Sequence, residues 1–190
     1  ENVAAELRAS DVPPIAFELG FGYGKDLPPV ELEQDGVTVS VTGFVDRVDG
    51  WLHEDKLYLR VVDYKTGTKT FEMNEITVGL GTQMLLYLFI LCDNSRRYLE
   101  EGALIPGGVL YHPLSDLVVD RGQDPAERLK QMRMSGILLD DPSVVLAMEK
   151  EGGNLFVPAK LNKEGKPTGN VVTRHQFDLL RKTVETLLVG

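Results

Sequence analysis

Two stretches of this chain are apolar on both faces, and acidic residues follow the apolar runs. Near-continuous runs of β-branched and aromatic residues over 37–49 and 57–65 predict strands that are buried on both sides. The motifs at their ends read Gly-Phe-Val-Asp46-Arg-Val-Asp49 and Val-Val-Asp63-Tyr64-Lys65. Residues 53–56 are turn-prone, so we expect the two strands to pair with each other. An Asp35-Gly36 turn predicts that residues 30–33 pair with the beginning of the first strand.

The remaining pattern mixes helical and extended periodicities. Helices are predicted over 75–100, from Asp124-Pro125 to about Met134, from Asp141-Pro142 to about Lys150 and from Thr173 to Leu188; strands are predicted over 103–112, 155–160 and 170–173, the last two as a hairpin around 162–169. Residues 15–30 are rich in glycine and proline and are predicted to be an irregular loop. The pattern favours an α/β (α+β) fold with a mixed central β-sheet flanked by helices, in one domain over residues 1–190.

The acids and the lysine at the strand ends carry the candidate chemistry. Asp63 and Lys65 are two residues apart on a strand, so their side chains share a face at roughly 7 Å along the chain. A carboxylate among apolar side chains is costly to bury unless a partner or a cation compensates it. Together with Asp46 they predict a patch that holds a divalent cation and a water beside a phosphodiester. The alternative is a solvated strand face on which aspartate and lysine neutralise each other.

Other polar residues are candidates for support or for structure. Gln83 and Tyr87 are four residues apart and share one helix face, where they contact nucleic acid or belong to the core. Glu18 is the one upstream acid that could reach a metal site, and the favoured alternative is a structural role. Asp49 follows Asp46 by three residues, faces the other side of the strand and is predicted to pair with Arg47 or Arg60.

Composition narrows the class of protein. The net charge of −9 is unusual for a nucleic-acid-binding protein, since basic patches supply most non-specific affinity. The single cysteine, Cys92, excludes a disulfide framework and fits a reducing, cytoplasmic location. The longest apolar run is too short to cross a membrane. Gly24-Lys25 lacks the glycine and hydroxyl positions of a phosphate-binding loop, so no ATP site is predicted.

The motifs, taken in order, resemble the PD-(D/E)xK nuclease superfamily in its RecB-like branch. Within that branch the chain resembles the C-terminal nuclease domain of AddB-type subunits of ATP-dependent helicase/deoxyribonucleases. The resemblance is carried by Asp46, by Asp63-Tyr64-Lys65, by Gln83 with Tyr87, and by segments 17–22, 106–111, 134–140 and 175–180. It implies a restriction-endonuclease-like fold and hydrolysis of DNA in double-strand-break repair. It also implies a single-stranded DNA end as substrate and an AddA-type partner subunit.

The resemblance assigns roles to individual residues. Asp46, Asp63 and the backbone carbonyl of Tyr64 bind Mg²⁺ or Mn²⁺ in this interpretation. Lys65 orients or activates the attacking water, and Gln83 and Tyr87 support the site and the nucleic acid.

One departure from the family concerns its iron–sulfur cluster. The full-length family member is expected to bind a cluster through four cysteines, which this chain lacks. We therefore expect a single nuclease domain trimmed from a larger subunit, with little or no activity by itself. Two alternatives stay open: a catalytically incompetent module for DNA or partner binding, and a standalone RecB-like exonuclease.

Overall fold

The computed structural model of the protein describes residues 2–34, 36–66, 82–94, 102–114 and 132–189. The helices are α1 (Asn2–Ala9), α2 (Thr82–Asp93), α3 (Pro142–Met148) and α4 (Arg174–Val189). The strands are β1 (Pro14–Phe21), β2 (Val30–Gln34), β3 (Val37–Val41), β4 (Gly43–His53), β5 (Lys56–Lys65), β6 (Ala103–Pro113), β7 (Ser135–Leu139), β8 (Ala159–Leu161), β9 (Pro167–Gly169) and β10 (Val171–Val172). None of the described helices is long and apolar enough to span a bilayer.

A six-stranded mixed sheet organises the domain in the order β1-β4-β5-β6-β7-β10. β4 is antiparallel to both β1 and β5, whereas β5 and β6 are parallel. β7 is antiparallel to β6 and parallel to β10. Two short ribbons, β2–β3 and β8–β9, lie outside this sheet. The predicted mixed sheet flanked by helices is confirmed.

The predicted strand over 37–49 is divided in the structure: residues 37–41 form β3, which is largely exposed and pairs with β2, whereas β4 begins at Gly43 and pairs with β5 as predicted. The β4–β5 turn contains Glu54 and Asp55, both with positive φ, which matches the right-handed twist of the paired strands. Val45, Val48 and Val61 are completely buried, as expected for strands covered on both faces.

Helix α2 supplies much of the core on one side of the sheet. Its Leu85, Leu88 and Leu91 have no exposed surface, and the helix packs against β5, β6 and α4. The predicted helix over 75–100 is confirmed from Thr82 to Asp93, and its flanks lie outside the described residues. The predicted helix after Asp124 also lies mostly outside them, and Met134 belongs to the loop before β7.

The prediction of an irregular loop over residues 15–30 is wrong. Residues 14–21 form β1 and pair with β4, and Leu19 and Phe21 are buried against the core. Gly20 lies opposite Phe44 and leaves room for its ring, whereas Gly22 and Gly24 have positive φ in the turn that follows β1. Only the short segment 22–27 turns back on itself.

The predicted hairpin between 155–160 and 170–173 is also wrong. The carboxylate of Glu149 accepts hydrogen bonds from the backbone N–H groups of residues 155–157, which keeps them out of a strand. β8 therefore pairs with β9, and β10 extends the main sheet beside β7. The tertiary contact with Glu149, more than local propensity, decides this region.

Helix α4 begins as its sequence predicts. Thr173 Oγ1 accepts a hydrogen bond from Gln176 N (3.2 Å), and Gln176 Oε1 accepts one from Thr173 N (2.7 Å). This reciprocal capping box satisfies backbone N–H groups that the first helical turn leaves free.

Candidate functional site

The β4–β5 ladder brings the two candidate aspartates together. Its register pairs Arg47 with Val62, so Asp46 and Asp63 are the next residues along the two strands. The backbone N–H of Tyr64 donates a hydrogen bond to Asp46 Oδ2 at 2.8 Å. Because that nitrogen is two bonds from the Asp63 Cα, Asp46 Oδ2 lies within about 5 Å of this Cα. Both carboxylates therefore belong to one small region at the end of the hairpin.

Lys65 joins this region through Asp63. The Lys65 ammonium forms an ion pair with Asp63 Oδ2, as their spacing on one strand face predicts. Their side chains are 34% and 18% exposed, so solvent reaches both. Asp63 Oδ2 itself is buried, and none of the described residues gives it a contact with hydrogen-bond geometry. Among the described residues, the Lys65 ammonium is therefore what neutralises this oxygen.

Glu18 lies in the same row as the aspartates. The β1–β4 register pairs Phe17 with Arg47 and Leu19 with Val45, which places Glu18 opposite Asp46. Glu18 is exposed and has a positive φ of 50°, an uncommon conformation for a residue other than glycine. The sequence offered Glu18 only as an upstream acid. In the sequence, Glu18 lies within the alternating pattern Phe17-Glu18-Leu19-Gly20-Phe21, and this period of two was the signal for a strand.

Gln83 and Tyr87 meet the first residue of β4. Gln83 Nε2 donates a hydrogen bond to the Tyr87 hydroxyl at 2.6 Å, and a Cβ on Gly43 would overlap that hydroxyl. The Tyr87 ring stacks on Phe21 with centroids 4.9 Å apart and is 1% exposed. Tyr87 is thus part of the core, where its ring is closed to a nucleic-acid base. Support of β4, three residues before Asp46, remains the predicted role of the pair.

The opposite face of the hairpin carries a buried ion-pair network. Its members are Glu6, Arg47, Asp49 and Arg60, all without exposed surface. Asp49 pairs with Arg47 Nε at 2.9 Å and with Arg60 Nη2 at 2.6 Å. The prediction that Asp49 turns away from Asp46 and pairs with these arginines is confirmed.

Helix α1 completes this network. Glu6 bridges the two arginines, with Oε2 at 3.0 Å from Arg47 Nη2 and Oε1 at 2.8 Å from Arg60 Nη2. Burial alone would lower the pKa of Arg47, but the charges of Asp49 and Glu6 outweigh it and raise this pKa above its ordinary value. Arg47 Nη1 also donates to the Tyr64 hydroxyl at 3.0 Å. The network is therefore linked to the residue whose backbone holds Asp46.

The donor set at Asp46 and Asp63 fits a hard divalent cation. Two carboxylates and the adjacent Tyr64 carbonyl are oxygen ligands of the kind that Mg²⁺ selects, and Mg²⁺ usually keeps several waters. Across the described ranges no three His, Cys, Asp or Glu side chains converge, so a metal caged wholly by side chains is not indicated there. Among the described residues Asp63 pairs only with the Lys65 ammonium, so the two carboxylates keep an excess of negative charge that suits such a ligand.

Cys92 packs against the hydrophobic core from helix α2. Burial raises the pKa of its thiol to about 12, so the thiolate form that binds metals is disfavoured. It is the only cysteine in the chain.

Comparison with known proteins identifies the family. The PD-(D/E)XK nuclease superfamily matches residues 2–190. The chain is similar to the B-type subunits of the ATP-dependent helicase/deoxyribonucleases of Acetivibrio thermocellus, with 39% identity, and of Clostridium novyi, with 37% identity. Each alignment covers 98% of this chain and 17% of the relative. The chain thus spans about one sixth of the length of these relatives, and it belongs to the PD-(D/E)XK nuclease superfamily.

Proposed function

We propose that this chain is a metal-dependent deoxyribonuclease domain that hydrolyses phosphodiester bonds at single-stranded DNA ends. One observation carries the proposal. Asp63 and Lys65 share a solvent-accessible strand face, and the neighbouring peptide of Tyr64 fixes the carboxylate of Asp46 beside them. The names of the relatives support DNA as the substrate.

Asp46, Asp63 and the Tyr64 carbonyl are the proposed ligands of one Mg²⁺ or Mn²⁺ ion. When bound, such an ion supplies Lewis acidity toward a phosphoryl oxygen and lowers the pKa of a coordinated water. The remaining contributions come from the protein. The Tyr64 N–H holds the Asp46 carboxylate in a fixed orientation, which reduces the reorganisation that ligand binding requires.

Lys65 is proposed to interact with the attacking water and to stabilise negative charge on the phosphoryl group. Its ammonium lies against Asp63 and is partly exposed, so it can donate a hydrogen bond to the attacking water or to a phosphoryl oxygen. Asp63 restricts the position of this long side chain. Gln83 and Tyr87 act indirectly by supporting the beginning of β4.

The wider assembly is proposed from the relatives. We infer that residues 1–190 are the nuclease domain of a larger AddB-like subunit that acts with an AddA-type partner in cytoplasmic double-strand-break repair. An iron–sulfur cluster of the family type would need cysteines beyond this chain, since Cys92 is its only one. With a net charge of −9, the domain itself would bind DNA weakly, so other parts of the assembly would hold the strand.

The test is cleavage of single-stranded DNA by the complete protein in Mg²⁺ or Mn²⁺. Asp63→Ala and Lys65→Ala are each expected to lower kcat by about 100-fold or more. Glu164 and Lys166 form a matched control, since they are also an acid and a lysine two residues apart that form an ion pair, and their side chains are largely exposed. Glu164→Ala and Lys166→Ala should leave the rate unchanged.

Two results would contradict the proposal. Undiminished cleavage in both site variants would remove Asp63 and Lys65 from the reaction. DNA binding by the wild type without any metal-dependent cleavage would favour a nuclease-like binding module instead.

A further inference from the structure

An exposed aromatic side chain lies directly beside the candidate acids. Phe44 is 55% exposed, although it belongs to a central strand whose neighbours Val45 and Val48 are completely buried. It precedes Asp46 by two residues on β4, so both side chains lie on the same face. An exposed aromatic ring next to a polar site offers a face on which a ligand can pack.

The Phe44 ring is held in place by what lies opposite it. Gly20 is its partner in the β1–β4 register, and a Cβ on Gly20 would come within 3.1 Å of the Phe44 ring and 3.3 Å of the Lys25 side chain. A side chain at position 20 would therefore crowd both groups. The absence of a side chain at Gly20 therefore leaves room for the Phe44 ring and for the aliphatic part of Lys25.

A tight loop brings Lys25 above this ring. Gly22 N donates to Leu27 O at 2.9 Å, Leu27 N donates to Gly20 O at 3.0 Å, and Asp26 Oδ2 accepts from Gly20 N at 3.0 Å. These bonds close the loop between β1 and the chain that follows it. The Lys25 ammonium lies over the Phe44 ring, 4.8 Å from its centre, and the ion pairs between described residues do not include it. Its charge is thus available to an anion.

We propose that Phe44 and Lys25 form a base-stacking platform for one nucleotide of the DNA strand, next to the bond that Asp46 and Asp63 address. The proposal rests on the proposed function and names a binding subsite for it. With Lys25 over the ring, more than half of Phe44 stays exposed, so a base can stack on the open part of the ring while the ammonium contacts the adjoining phosphate. Bases inside a duplex have no free face, so the platform accepts an unpaired nucleotide or a frayed end.

The experiment reads stacking without cleavage. Single-stranded oligonucleotides with one 2-aminopurine, moved stepwise along the strand, are bound to the complete protein in EDTA, and the fluorescence is recorded. Wild type should quench the probe strongly at one position. Phe44→Ala should lose this quenching and weaken binding of the strand about tenfold, as expected for one lost base–aromatic stack. Phe44→Trp should retain it.

Two controls separate stacking from folding. Phe44→Leu keeps an apolar side chain over Gly20 but has no aromatic face, so it should fold normally and still lose the quenching. Phe17→Ala removes another exposed ring, 62% accessible, from β1 opposite Arg47, and should behave as wild type. Lys25→Ala should weaken binding at all probe positions and reduce the slope of the salt dependence by about one.

Either of two results overturns the platform: full quenching in Phe44→Leu, or an equal loss in Phe17→Ala. Because binding is measured in EDTA, the result is independent of catalysis. If the wild type quenches the probe but does not cleave DNA with metal present, the proposed function alone is refuted. If it cleaves DNA but no probe position shows quenching that depends on Phe44, the platform alone is refuted.

Discussion

Both faces of the β4–β5 hairpin carry charged residues, but the two sets differ in burial and in how their charges are paired. On one face Glu6, Asp49, Arg47 and Arg60 are completely buried, and their two negative and two positive charges pair with one another. On the other face Asp46, Asp63 and Lys65 are only partly buried. There Asp63 pairs with Lys65 alone among the described residues, so two carboxylates face one ammonium.

The difference in burial distinguishes charged residues that stabilise the fold from charged residues that can take part in chemistry. Buried ions that pair with one another hold α1 against the sheet and leave little capacity for a ligand, although Arg60 Nη1 and Asp49 Oδ1 have no hydrogen-bond partner among the described residues. Two acids that share one ammonium at an accessible strand end are suited to bind a cation instead. Variants on the two faces should therefore fail in different ways.

Glu6→Ala should have the largest effect on stability. It leaves Arg47 and Arg60 buried with one partner fewer each, so we expect the free energy of unfolding to fall by about 3–5 kcal/mol. Chemical denaturation measures this change, with Glu164→Ala as a surface control. If Glu6→Ala lost less than about 1 kcal/mol, the network would not have the structural role assigned to it.

Gly43→Ala should have an intermediate effect. A new methyl group would overlap the Tyr87 hydroxyl, and displacing that core tyrosine should cost about 1–3 kcal/mol of unfolding free energy. Gly153→Ala, whose added Cβ would meet Glu149 at an ordinary 3.6 Å, should be nearly neutral.

A double-mutant cycle identifies the contact. Tyr87→Phe removes the hydroxyl that the new methyl group overlaps, so it should recover part of the loss in a Gly43→Ala background. Strictly additive effects would show that the Tyr87 hydroxyl is not what requires glycine at position 43.

The smallest expected effect on stability is that of Cys92, which lies on helix α2 and not on the β4–β5 hairpin. Because burial raises its pKa to about 12, the folded protein keeps the thiol protonated at pH values where the unfolded chain loses the proton. The unfolded state then binds fewer protons, so the free energy of unfolding falls as the pH rises above about 9, by roughly 1 kcal/mol near pH 9.5. Cys92→Ala should lose this component of the pH dependence when denaturation is repeated between pH 8 and 9.5. An identical slope in that variant would assign the dependence to other groups.

The sequence predicted those parts of the fold that local patterns determine. The apolar runs gave β4 and β5, and the spacing of Asp46 and Asp49 was enough to assign them to opposite faces. The hydrophobic pattern did not predict segments whose structure depends on contacts with residues far away in the sequence. Glu149 keeps residues 155–157 out of a strand, and the pairing of β1 with β4 turns a glycine-rich segment into the strand that carries Glu18.

The candidate site was predictable to a similar extent. Residue spacing placed Asp63 beside Lys65 and Gln83 beside Tyr87, and both contacts are present. The hydrogen bond from Tyr64 to Asp46 and the position of Phe44 over Gly20 depend on strand register, which one-dimensional periodicity does not specify.

Manganese binding combined with stability tests the central claim most directly. Mn²⁺ bound per molecule, counted by electron paramagnetic resonance, should fall by one ion in Asp63→Ala and stay unchanged in Lys65→Ala, while the unfolding free energy of both stays within about 0.5 kcal/mol of wild type. Undiminished Mn²⁺ binding by Asp63→Ala, or a loss of stability as large as that of Glu6→Ala, would show that Asp63 belongs to the architecture of the hairpin and not to a metal site.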